Sequence, residues 1–556
     1  MPIVAADLPL QRLWQWERER ADRIYLTQPL GEGRSRDFTW KQAMDEARRM
    51  AAHLQSLGLK PGARIAIMAK NSAWWYLADY AILMAGHVSV PLYASLTADT
   101  VRAILEHSEA RVCFVGKLDH ADEMEAGLPA AVTRIRLPQA TPGEGVPWDD
   151  IVANTAPLAG TPTRPADDLA TIIYTSGTTG MSKGVMHTFA AVAVAGKTVA
   201  DTFGMRADDR FMSYLPTAHV ADRWGTQYTA LQGGCRVFFI ESIETFLRDV
   251  AAARPTIFAA VPRLWAKFQQ GVFARLPKQK LDRLLRIPLL NRWVKRKILK
   301  QLGFDQVRIA LSGGAPLPPE VYGWYRGLGL ELLELYGMTE NFGLSHSARV
   351  GEVRIGYVGQ PWPGVAHRLS SEGEVQVQTP AATIGYYKAP DLTRELLGDD
   401  GWIRTGDLGE VDERNRLRIV GRIKEQFKTS KGKYVSPAPI ENLLSAHPFV
   451  EATCVCGAGL SQPFALVMLP GVGATRWDEA GERESLSRSL AEHVDAINAR
   501  IAKHEQLGFV VVVVEQWTVD NNLITPSMKI KRASIEKRYG ERFAGWAEQN
   551  RKVIWA

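Results

Sequence analysis

The chain has 556 residues, of which 46% are hydrophobic and 23% charged. This composition is typical of a soluble globular protein and excludes a disordered or fibrous one, while the length exceeds what one hydrophobic core usually holds. The net charge of +7 is concentrated in residues 278–300, where nine Lys or Arg residues accompany one Asp. We therefore expect a local basic patch and no nucleic acid among the partners.

Cysteine spacing and the N-terminus indicate the compartment. Cys113, Cys235, Cys454 and Cys456 form neither a disulfide framework nor the CxxC pairs of zinc sites. The N-terminus becomes charged before an apolar stretch reaches signal-peptide length, and no run of about 18 apolar residues could span a bilayer. We expect a cytoplasmic protein in a reducing environment.

Strand-like, β-branched runs alternate with helical patterns through the first two thirds of the chain. The first long helical pattern covers 38–58, and the predicted strands are 63–70, 110–116, 169–177, 235–240, 255–261 and 306–314. This alternation predicts an α/β fold with largely parallel sheets flanked by helices. After residue 350, short strands with Gly and Asp-Glu-Arg-Asn turns predict a small antiparallel β subdomain.

A separate pattern follows Arg422, with a predicted helix at 485–504 and a valine-rich strand at 509–514. We predict an N-terminal domain over 1–421, a hinge over 422–425 and a small α+β C-terminal domain over 426–556.

The string YTSGTTGMSKG at 174–184 follows the apolar strand LATII. Its glycines let backbone N–H groups approach an anion, its hydroxyls donate to phosphate oxygens, and Lys183 supplies positive charge. The spacing matches neither a Walker A loop, because position 182 is serine, nor the dinucleotide pattern GxGxxG. A phosphate-binding loop is the prediction, and a flexible surface turn is the alternative.

Six further strings follow in order: SYLPTAH at 213–219, GGAP at 313–316, YGMTE at 336–340, TGD at 405–407, GRIKE at 421–425 and TPSMK at 525–529. Together with 174–184 they resemble, over nearly the whole chain, the signature motifs of adenylate-forming enzymes. The family usually has proline where this chain has Ser182. The strings SYLPTAHVADRW, VPRLWAKF, FKTSKGKYVSP and PSMKIKR look most similar to long-chain fatty acyl-CoA synthetases.

The resemblance implies a fold, an activity and a set of site residues. It implies that the C-terminal domain is mobile, and that ATP and Mg²⁺ activate a carboxylic acid, of medium to long chain, as acyl-AMP before transfer to coenzyme A. The implied catalytic residues are Lys529, Thr339, Glu340 and His219, with Glu340 also holding Mg²⁺. The implied nucleotide- and CoA-binding residues are Thr175, Ser176, Gly177, Thr178, Thr179, Gly180, Lys183, Gly314, Ala315, Pro316, Tyr336, Gly337, Asp407, Arg422 and Lys428. Lys424 is the implied hinge residue.

These roles have a common physical reason. Adenylation joins an anionic carboxylate to a polyanionic triphosphate, so positive charge must stabilise the α-phosphorus as pyrophosphate leaves. Asp407 can accept hydrogen bonds from both ribose hydroxyls and so fix the nucleotide for attack. Without the motifs, each of these carboxylates and lysines would be interpreted as a solvated surface charge.

Several alternatives stay open. The acceptor can be a separate carrier protein, since the chain ends at Ala556, too soon after Lys529 for a fused carrier domain. The acid can be an aryl or other carboxylate. An inactive sensor is disfavoured by the joint presence of Lys183, Glu340, Asp407 and Lys529, and a luciferase-type oxygenase has no distinct signature.

The basic segment 278–300 interleaves Leu, Ile and Trp293 with Lys and Arg. This pattern is typical of a helix at a membrane surface and also of a solvated amphipathic helix. Peripheral membrane contact at the inner face of a membrane is therefore a hypothesis, and the oligomeric state is not predicted.

Overall fold

The computed structural model of the protein describes residues 3–175, 182–471, 480–525 and 528–556. In chain order the strands are β1 (Ile24–Gly31), β2 (Arg34–Thr39), β3 (Arg64–Met68), β4 (Val88–Leu92), β5 (Val112–Val115), β6 (Thr133–Arg136), β7 (Val146–Pro147), β8 (Leu169–Thr175), β9 (Lys183–Thr188), β10 (Arg210–Ser213), β11 (Arg236–Phe239), β12 (Ile257–Ala260), β13 (Ile309–Gly313), β14 (Leu332–Tyr336), β15 (His346–Ser347), β16 (Gln360–Pro361), β17 (Ala366–Leu369), β18 (Glu374–Gln378), β19 (Gly385–Tyr386), β20 (Ile403–Val411), β21 (Leu417–Arg422), β22 (Phe427–Lys428), β23 (Tyr434–Val435), β24 (Ala452–Cys456), β25 (Phe464–Met468), β26 (Val510–Val513) and β27 (Val553–Trp555).

The α-helices are α1 (Pro9–Glu19), α2 (Trp40–Ser56), α3 (Ala73–Met84), α4 (Ala98–Ser108), α5 (Ala121–Ala126), α6 (Trp148–Asn154), α7 (Phe189–Thr202), α8 (Val220–Asp222), α9 (Thr229–Gly233), α10 (Phe246–Ala253), α11 (Pro262–Arg275), α12 (Lys278–Leu285), α13 (Leu290–Gln301), α14 (Pro319–Leu328), α15 (Pro390–Leu397), α16 (Pro437–Leu444), α17 (Ala480–Asn498), α18 (Arg532–Tyr539) and α19 (Phe543–Glu548). A π-helical turn, Arg223–Tyr228, separates α8 from α9.

Three sheets carry the larger part of the chain. The largest has the order β19-β9-β8-β4-β3-β5-β6-β7, and its strands from β8 to β7 in that order are parallel. A second has the order β12-β13-β14-β15-β16 with β12 to β14 parallel, and a third has the order β10-β11-β1-β2. Helix α3 is buried along its whole length, because its sequence is apolar on nearly every side. It packs into one core to which all three sheets contribute.

An antiparallel sheet of order β17-β18-β20-β21 follows these three, as the hairpin patterns after residue 350 predict. The predicted strands and the helix at 38–58 are confirmed by β3, β5, β8, β11, β12, β13 and α2, although the end of the prediction at 169–177 lies outside the described residues.

The last 130 or so residues build their own sheet, β24-β25-β26-β27, flanked by α16, α17 and α18. Alternate residues of these strands enter two separate apolar clusters, for example Val511 on one face and Val510 and Val512 on the other. Both clusters draw on residues 427–555 alone. The exact limits 1–421, 422–425 and 426–556 remain a prediction.

The basic segment 278–300 forms two helices, α12 and α13, and not one. Pro288 ends the helical pattern, and Leu289 takes a left-handed φ of 70° in the connecting turn. Leu281, Val294 and Ile298 are buried against the core next to β12 and β13, so the helical pair is anchored on one face.

No helix among the described residues is long and apolar enough to cross a membrane. All four cysteines are buried and free of disulfide bonds.

Candidate active site

Three parallel strands, β12, β13 and β14, end at the same edge of their sheet, where loops commonly form ligand sites in α/β proteins. The predicted adenine loop, Gly314 to Pro316, follows β13 and is exposed. Gly314 has φ of 84°, a left-handed conformation that favours glycine. The segment from Tyr336 to Glu340 begins at the end of β14, so the topology brings these two predicted parts of the nucleotide site to one edge.

Gly337 permits a close approach of two backbone segments. A Cβ atom at this position would lie 2.3 Å from the carbonyl oxygen of Gly343, which no side chain tolerates. Close packing against Gly343 therefore requires glycine at position 337. This packing holds the turn that carries Thr339 and Glu340.

Strands β8 and β9 hold the two ends of the predicted phosphate loop. Thr175 and Lys183 are cross-strand partners in this antiparallel pair. The residues Ser176, Gly177, Thr178, Thr179 and Gly180 lie outside the described residues, so their roles stay predictions. The ammonium group of Lys183 lies 5.0 Å from the centre of the Tyr386 ring, a cation–π contact.

The Glu340 carboxylate is held by Tyr386, whose hydroxyl donates a 2.7 Å hydrogen bond to Oε1. Burial and the charge of Glu340 raise the pKa of Tyr386, so the phenol stays protonated and remains a donor. Tyr386 lies on β19, which pairs with β9, so Lys183 and Glu340 meet at the same tyrosine. The motifs did not identify Tyr386, because its partner is 46 positions away in the sequence.

Glu340 fits the magnesium role that the resemblance implies. Its Oε2 accepts no hydrogen bond from any residue that the structure describes, and the side chain is only partly buried. The described parts of the chain contain no group of three or more His, Cys, Asp or Glu side chains that could hold a metal ion. A single protein carboxylate is what Mg²⁺ uses when substrate phosphates complete its shell.

Thr339 is buried, and its carbonyl oxygen accepts a 2.7 Å hydrogen bond from Nε2 of His187. Burial lowers the pKa of His187 to about 3, so the ring is neutral and donates from Nε2. His187 therefore fixes the 3₁₀ turn Thr339–Asn341 from β9. It is a second residue that the motifs did not reveal.

Asp407 lies on β20 opposite Arg422 on β21, where the two are register partners. Its Oδ2 accepts a 2.6 Å hydrogen bond from the hydroxyl of Tyr336, and its Oδ1 accepts a 2.7 Å bond from Nε of Arg422. Each oxygen keeps a lone pair that a ribose hydroxyl could use. Three residues from three separate motifs thus form one hydrogen-bonded group.

Lys529 lies within electrostatic range of this group, although it is more than 100 positions away in the sequence. Burial lowers the pKa of Lys529, and the positive charge of Arg422 lowers it further. The negative charges of Asp407, Glu425 and Glu340 act in the opposite direction and raise it. The side chain of Lys529 nevertheless remains accessible to solvent. A hydrogen bond of 3.1 Å from its backbone N–H to Oγ1 of Thr525 holds the turn that presents it.

His219 also lies within electrostatic range of Lys529. Burial, and then the charge of Lys529, lower the pKa of His219 to about 4. Its Nδ1 accepts a 3.0 Å hydrogen bond from the backbone N–H of Ala221, so the neutral ring carries its proton on Nε2. The side chain is partly buried, and its Nε2–H is an uncharged donor.

The predicted hinge and thiol-path residues are exposed. Lys424 lies in the 3₁₀ turn Ile423–Glu425, directly after β21. Lys428 lies on β22, with its ammonium group 5.5 Å from the centre of the Tyr434 ring. The roles of Lys424 in hinge motion and of Lys428 in CoA binding stay predictions.

Comparison with known proteins agrees with this geometry. The profile of the AMP-binding enzyme family matches residues 13–387, and the profile of the AMP-binding enzyme C-terminal domain matches residues 424–546. The chain therefore belongs to the AMP-binding enzyme family, and the resemblance predicted from the motifs is confirmed.

Named relatives match nearly the whole chain. A protein of Mycobacterium bovis named long-chain-fatty-acid–CoA ligase FadD15 is 31% identical over 94% of each chain. A protein of Dictyostelium discoideum named fatty acyl-CoA synthetase A is 30% identical over 92% of this chain and 86% of its own.

Solved structures share the fold. Anthranilate CoA ligase AuaEII in complex with anthranoyl-AMP superposes with a TM-score of 0.79 at 21% identity, covering 98% of this chain and all of the other. The adenylation domain of a carboxylic acid reductase from Segniliparus rugosus, in complex with AMP and a carboxylic acid, gives a TM-score of 0.80 at 23% identity, covering 98% and 94%. The predicted fold class, a large α/β part followed by a smaller C-terminal part, is confirmed.

Proposed function

We propose that this chain is an ATP-dependent, AMP-forming acyl-CoA ligase whose acid is a medium- to long-chain fatty acid. The observation that carries the proposal is that Lys529 lies within electrostatic range of Glu340, Asp407 and His219. The names of the full-length relatives support the fatty acid and coenzyme A as substrates.

In the first half-reaction, a carboxylate oxygen of the acid attacks the α-phosphorus of ATP. The new C–O–P bond forms as the bond to the β-phosphate oxygen breaks, and pyrophosphate carries the electron pair away. Lys529 would stabilise the charge on the pentavalent phosphorus, and the Thr339 hydroxyl would donate to an α-phosphate oxygen. Mg²⁺ bound by Glu340 would supply additional screening between the two anions.

The remaining residues would orient the nucleotide and the acid. Asp407, held by Tyr336 and Arg422, would accept from the ribose hydroxyls, and Tyr336 and Gly314 to Pro316 would border the adenine. His219 is neutral at physiological pH because its pKa is about 4, so it would donate from Nε2 to the acid without neutralising it. Lys183 and the loop after Thr175 would hold the departing phosphates.

In the second half-reaction, the CoA thiol loses its proton to solvent and the thiolate sulfur attacks the acyl carbonyl carbon, while AMP leaves with the electrons of the mixed anhydride bond. Lys529 has no task in this step, so we propose that the C-terminal domain, 426–556, rotates about the hinge 422–425 with Lys424 as its pivot. Lys428 and the turn to Tyr434 would then line the path of the pantetheine arm. A basic surface turn is the alternative interpretation of Lys431 and Lys433.

A substrate panel tests this proposal. Purified protein with ATP and Mg²⁺ is given acids of increasing chain length, an aryl acid, or no acid, and pyrophosphate release is measured. We expect release that depends on a fatty acid, and thioester formation only after CoA is added. If no acid triggers pyrophosphate release, the proposed ligase activity is refuted. If the aryl acid is preferred, a fatty acid is not the substrate. If the acyl group is transferred to a carrier protein but not to CoA, CoA is not the acceptor.

We further propose that a cytoplasmic form of the protein contacts membranes through the turn between α12 and α13. Ile287, Leu289 and Trp293 are exposed by 48%, 81% and 59%, at the one end of the helical pair. Basic residues of the same segment are exposed as well, among them Arg283, Arg286, Arg292, Arg296 and Lys297. Exposed apolar side chains together with basic ones are complementary to an anionic lipid surface, where each basic residue contributes about 1 kcal/mol.

Liposome sedimentation tests the membrane contact. Vesicles with and without anionic lipid are mixed with the wild type, with Leu289→Glu, and with a triple alanine variant at Lys295, Arg296 and Lys297. We expect binding only to anionic vesicles and a loss of binding in both variants. A control triple variant of the exposed residues Lys41, Lys60 and Lys503 removes the same charge elsewhere. Equal binding by all proteins would refute the contact.

A further inference from the structure

One ion pair links the larger part of the chain to its C-terminal part. The guanidinium group of Arg263 pairs with the carboxylate of Glu451. Among ion pairs between residues that the structure describes, it alone joins a residue before the hinge region 422–425 to one after it. Their side chains are 48% and 30% exposed, so the pair lies at the rim of the contact between the two parts.

Both partners are fixed in place within their own part of the chain. Arg263 lies in the first turn of α11, which the buried Trp265 and Phe268 anchor in the core. The backbone N–H of Glu451 donates a 2.8 Å hydrogen bond to the carbonyl of Met468 and so holds the residue at the start of β24. A rotation of the C-terminal part would move Glu451 and leave Arg263 in place. Such a rotation therefore separates the two charges.

The pair also lies beside the active site. Helix α11 begins where β12 ends, at the sheet edge that carries Gly314 and Tyr336. Cγ1 of Val261 lies 3.9 Å from a Cβ built on Gly314, which places the start of α11 against the predicted adenine loop. Arg263 is therefore a further position, besides the hinge and the surroundings of Lys529, at which the C-terminal part meets the larger part.

We infer that Arg263 and Glu451 are positioning residues for the first half-reaction, because their attraction favours the arrangement in which Lys529 faces Glu340 and Asp407. The inference rests on the proposed two-step function. The pair is present in the arrangement that presents Lys529, and it opens when Lys529 withdraws for thiol transfer. It therefore biases an equilibrium between two arrangements and touches no substrate.

Separate assays of the two half-reactions test this inference. Pyrophosphate release in a single turnover reports the first step, and thioester formation from preformed acyl-AMP and CoA reports the second. Arg263→Gln is expected to slow the first step about twofold to fivefold, the range for a partly exposed ion pair, and to leave the second step unchanged or faster. Glu451→Arg is expected to slow the first step more, because two cations then face each other.

Three comparisons make the result specific. The double variant Arg263→Glu with Glu451→Arg restores attraction and is expected to recover the first step. Lys267→Gln removes an exposed cation one helical turn along α11 and is expected to change neither step. Thermal unfolding of each variant separates positioning from loss of stability, since a purely structural role would slow both steps together.

The outcomes distinguish this inference from the proposed function. If the wild type performs neither half-reaction, the ligase proposal and the inference both fail. If the wild type performs both, the inference alone fails in any of three cases: the single variants match it, both steps slow equally, or the charge-swapped double variant is no better than the single ones.

Discussion

The hydroxyl of Tyr336 donates a 2.6 Å hydrogen bond to Oδ2 of Asp407 and so joins the end of β14 to β20 of the antiparallel sheet. Burial and the charge of Asp407 raise the pKa of Tyr336, which keeps the phenol protonated. The bond fixes the carboxylate that we propose for ribose binding, so the aromatic ring has a positioning role besides bordering the adenine.

Tyr336→Phe removes this bond and leaves the ring in place. A hydrogen bond to a charged group in a partly buried site contributes about 1–3 kcal/mol, so we expect KM for ATP to rise about tenfold with a smaller change in kcat. Steady-state kinetics with varied ATP measure this. Tyr357→Phe is the matched control, and an unchanged KM in Tyr336→Phe would show that Asp407 is positioned without the phenol.

Glu340 is expected to determine the magnesium requirement. Glu340→Gln keeps the shape of the side chain and removes its charge, so pyrophosphate release should fall on the order of 100-fold and require more Mg²⁺ for half-maximal rate. Tyr386→Phe should lower the rate severalfold, because the carboxylate loses its 2.7 Å donor but keeps its charge. A Glu340→Gln enzyme with an unaltered magnesium titration would contradict the assigned role.

His219 is expected to add no ionisation to the activity profile near neutral pH. Its pKa falls from the ordinary value of 6.5 to about 4, through burial and then the charge of Lys529. The unfolded chain takes up this proton near pH 6.5 and the folded chain only near pH 4, so the stability contribution of the neutral ring is complete above pH 6.5 and lost as pH falls toward 4.

The pH dependence of kcat/KM between pH 5.5 and 8 should therefore have the same shape in the wild type and in His219→Asn, even where the variant is slower. Disappearance of an acidic limb near pH 6.5 in the variant would show that His219 titrates in the working range. An NMR titration of His219 in Lys529→Ala should show a higher pKa than in the wild type, because the charge that helps to lower it is lost.

A fully buried ion pair between Asp79 and Arg223 holds the segment that follows His219. The Arg223 guanidinium group donates two hydrogen bonds, of 3.0 and 3.1 Å, to the Asp79 carboxylate. Asp79 also accepts hydrogen bonds from Gln227 and Tyr228 of the π-helical turn. Asp79→Asn leaves the Arg223 charge buried without a counter-charge, which should destabilise the fold by about 3–5 kcal/mol.

Denaturant and thermal unfolding measure this effect. Asp282→Asn breaks the exposed pair with Lys278 and should change stability by less than about 1 kcal/mol. Similar losses in the two variants would contradict the structural role of the buried pair.

Much of the fold follows from the sequence, because parallel strands leave strong local signals. The runs 63–70 and 306–314 contain β3 and β13 with only small differences at their ends. The break of segment 278–300 into two helices could also have been predicted from the sequence, because Pro288 lies inside the helical pattern and proline disfavours a continuous helix. The single basic helix was therefore the wrong interpretation of a correct amphipathic pattern.

The site was predictable only in part. The motifs identify residues such as Lys529 and Asp407 because each belongs to a local string, and the structure brings these two together. They could not reveal Tyr386 or His187, whose contacts with Glu340 and Thr339 join distant strands and depend on the register of β9 with β8 and β19. The contact between Arg263 and Glu451 has no local signal either, because it arises only from the arrangement of the two parts of the chain.

The most direct test of the account compares the two half-reactions in Lys529→Ala. The account predicts that acyl-AMP formation from ATP and a fatty acid is abolished, while thioester formation from preformed acyl-AMP and CoA stays close to the wild-type rate. Lys531→Ala, two positions away on the same segment, should retain both steps. Equal loss of both half-reactions in Lys529→Ala, or adenylation at the wild-type rate, would contradict the central claim that this lysine serves the first step alone.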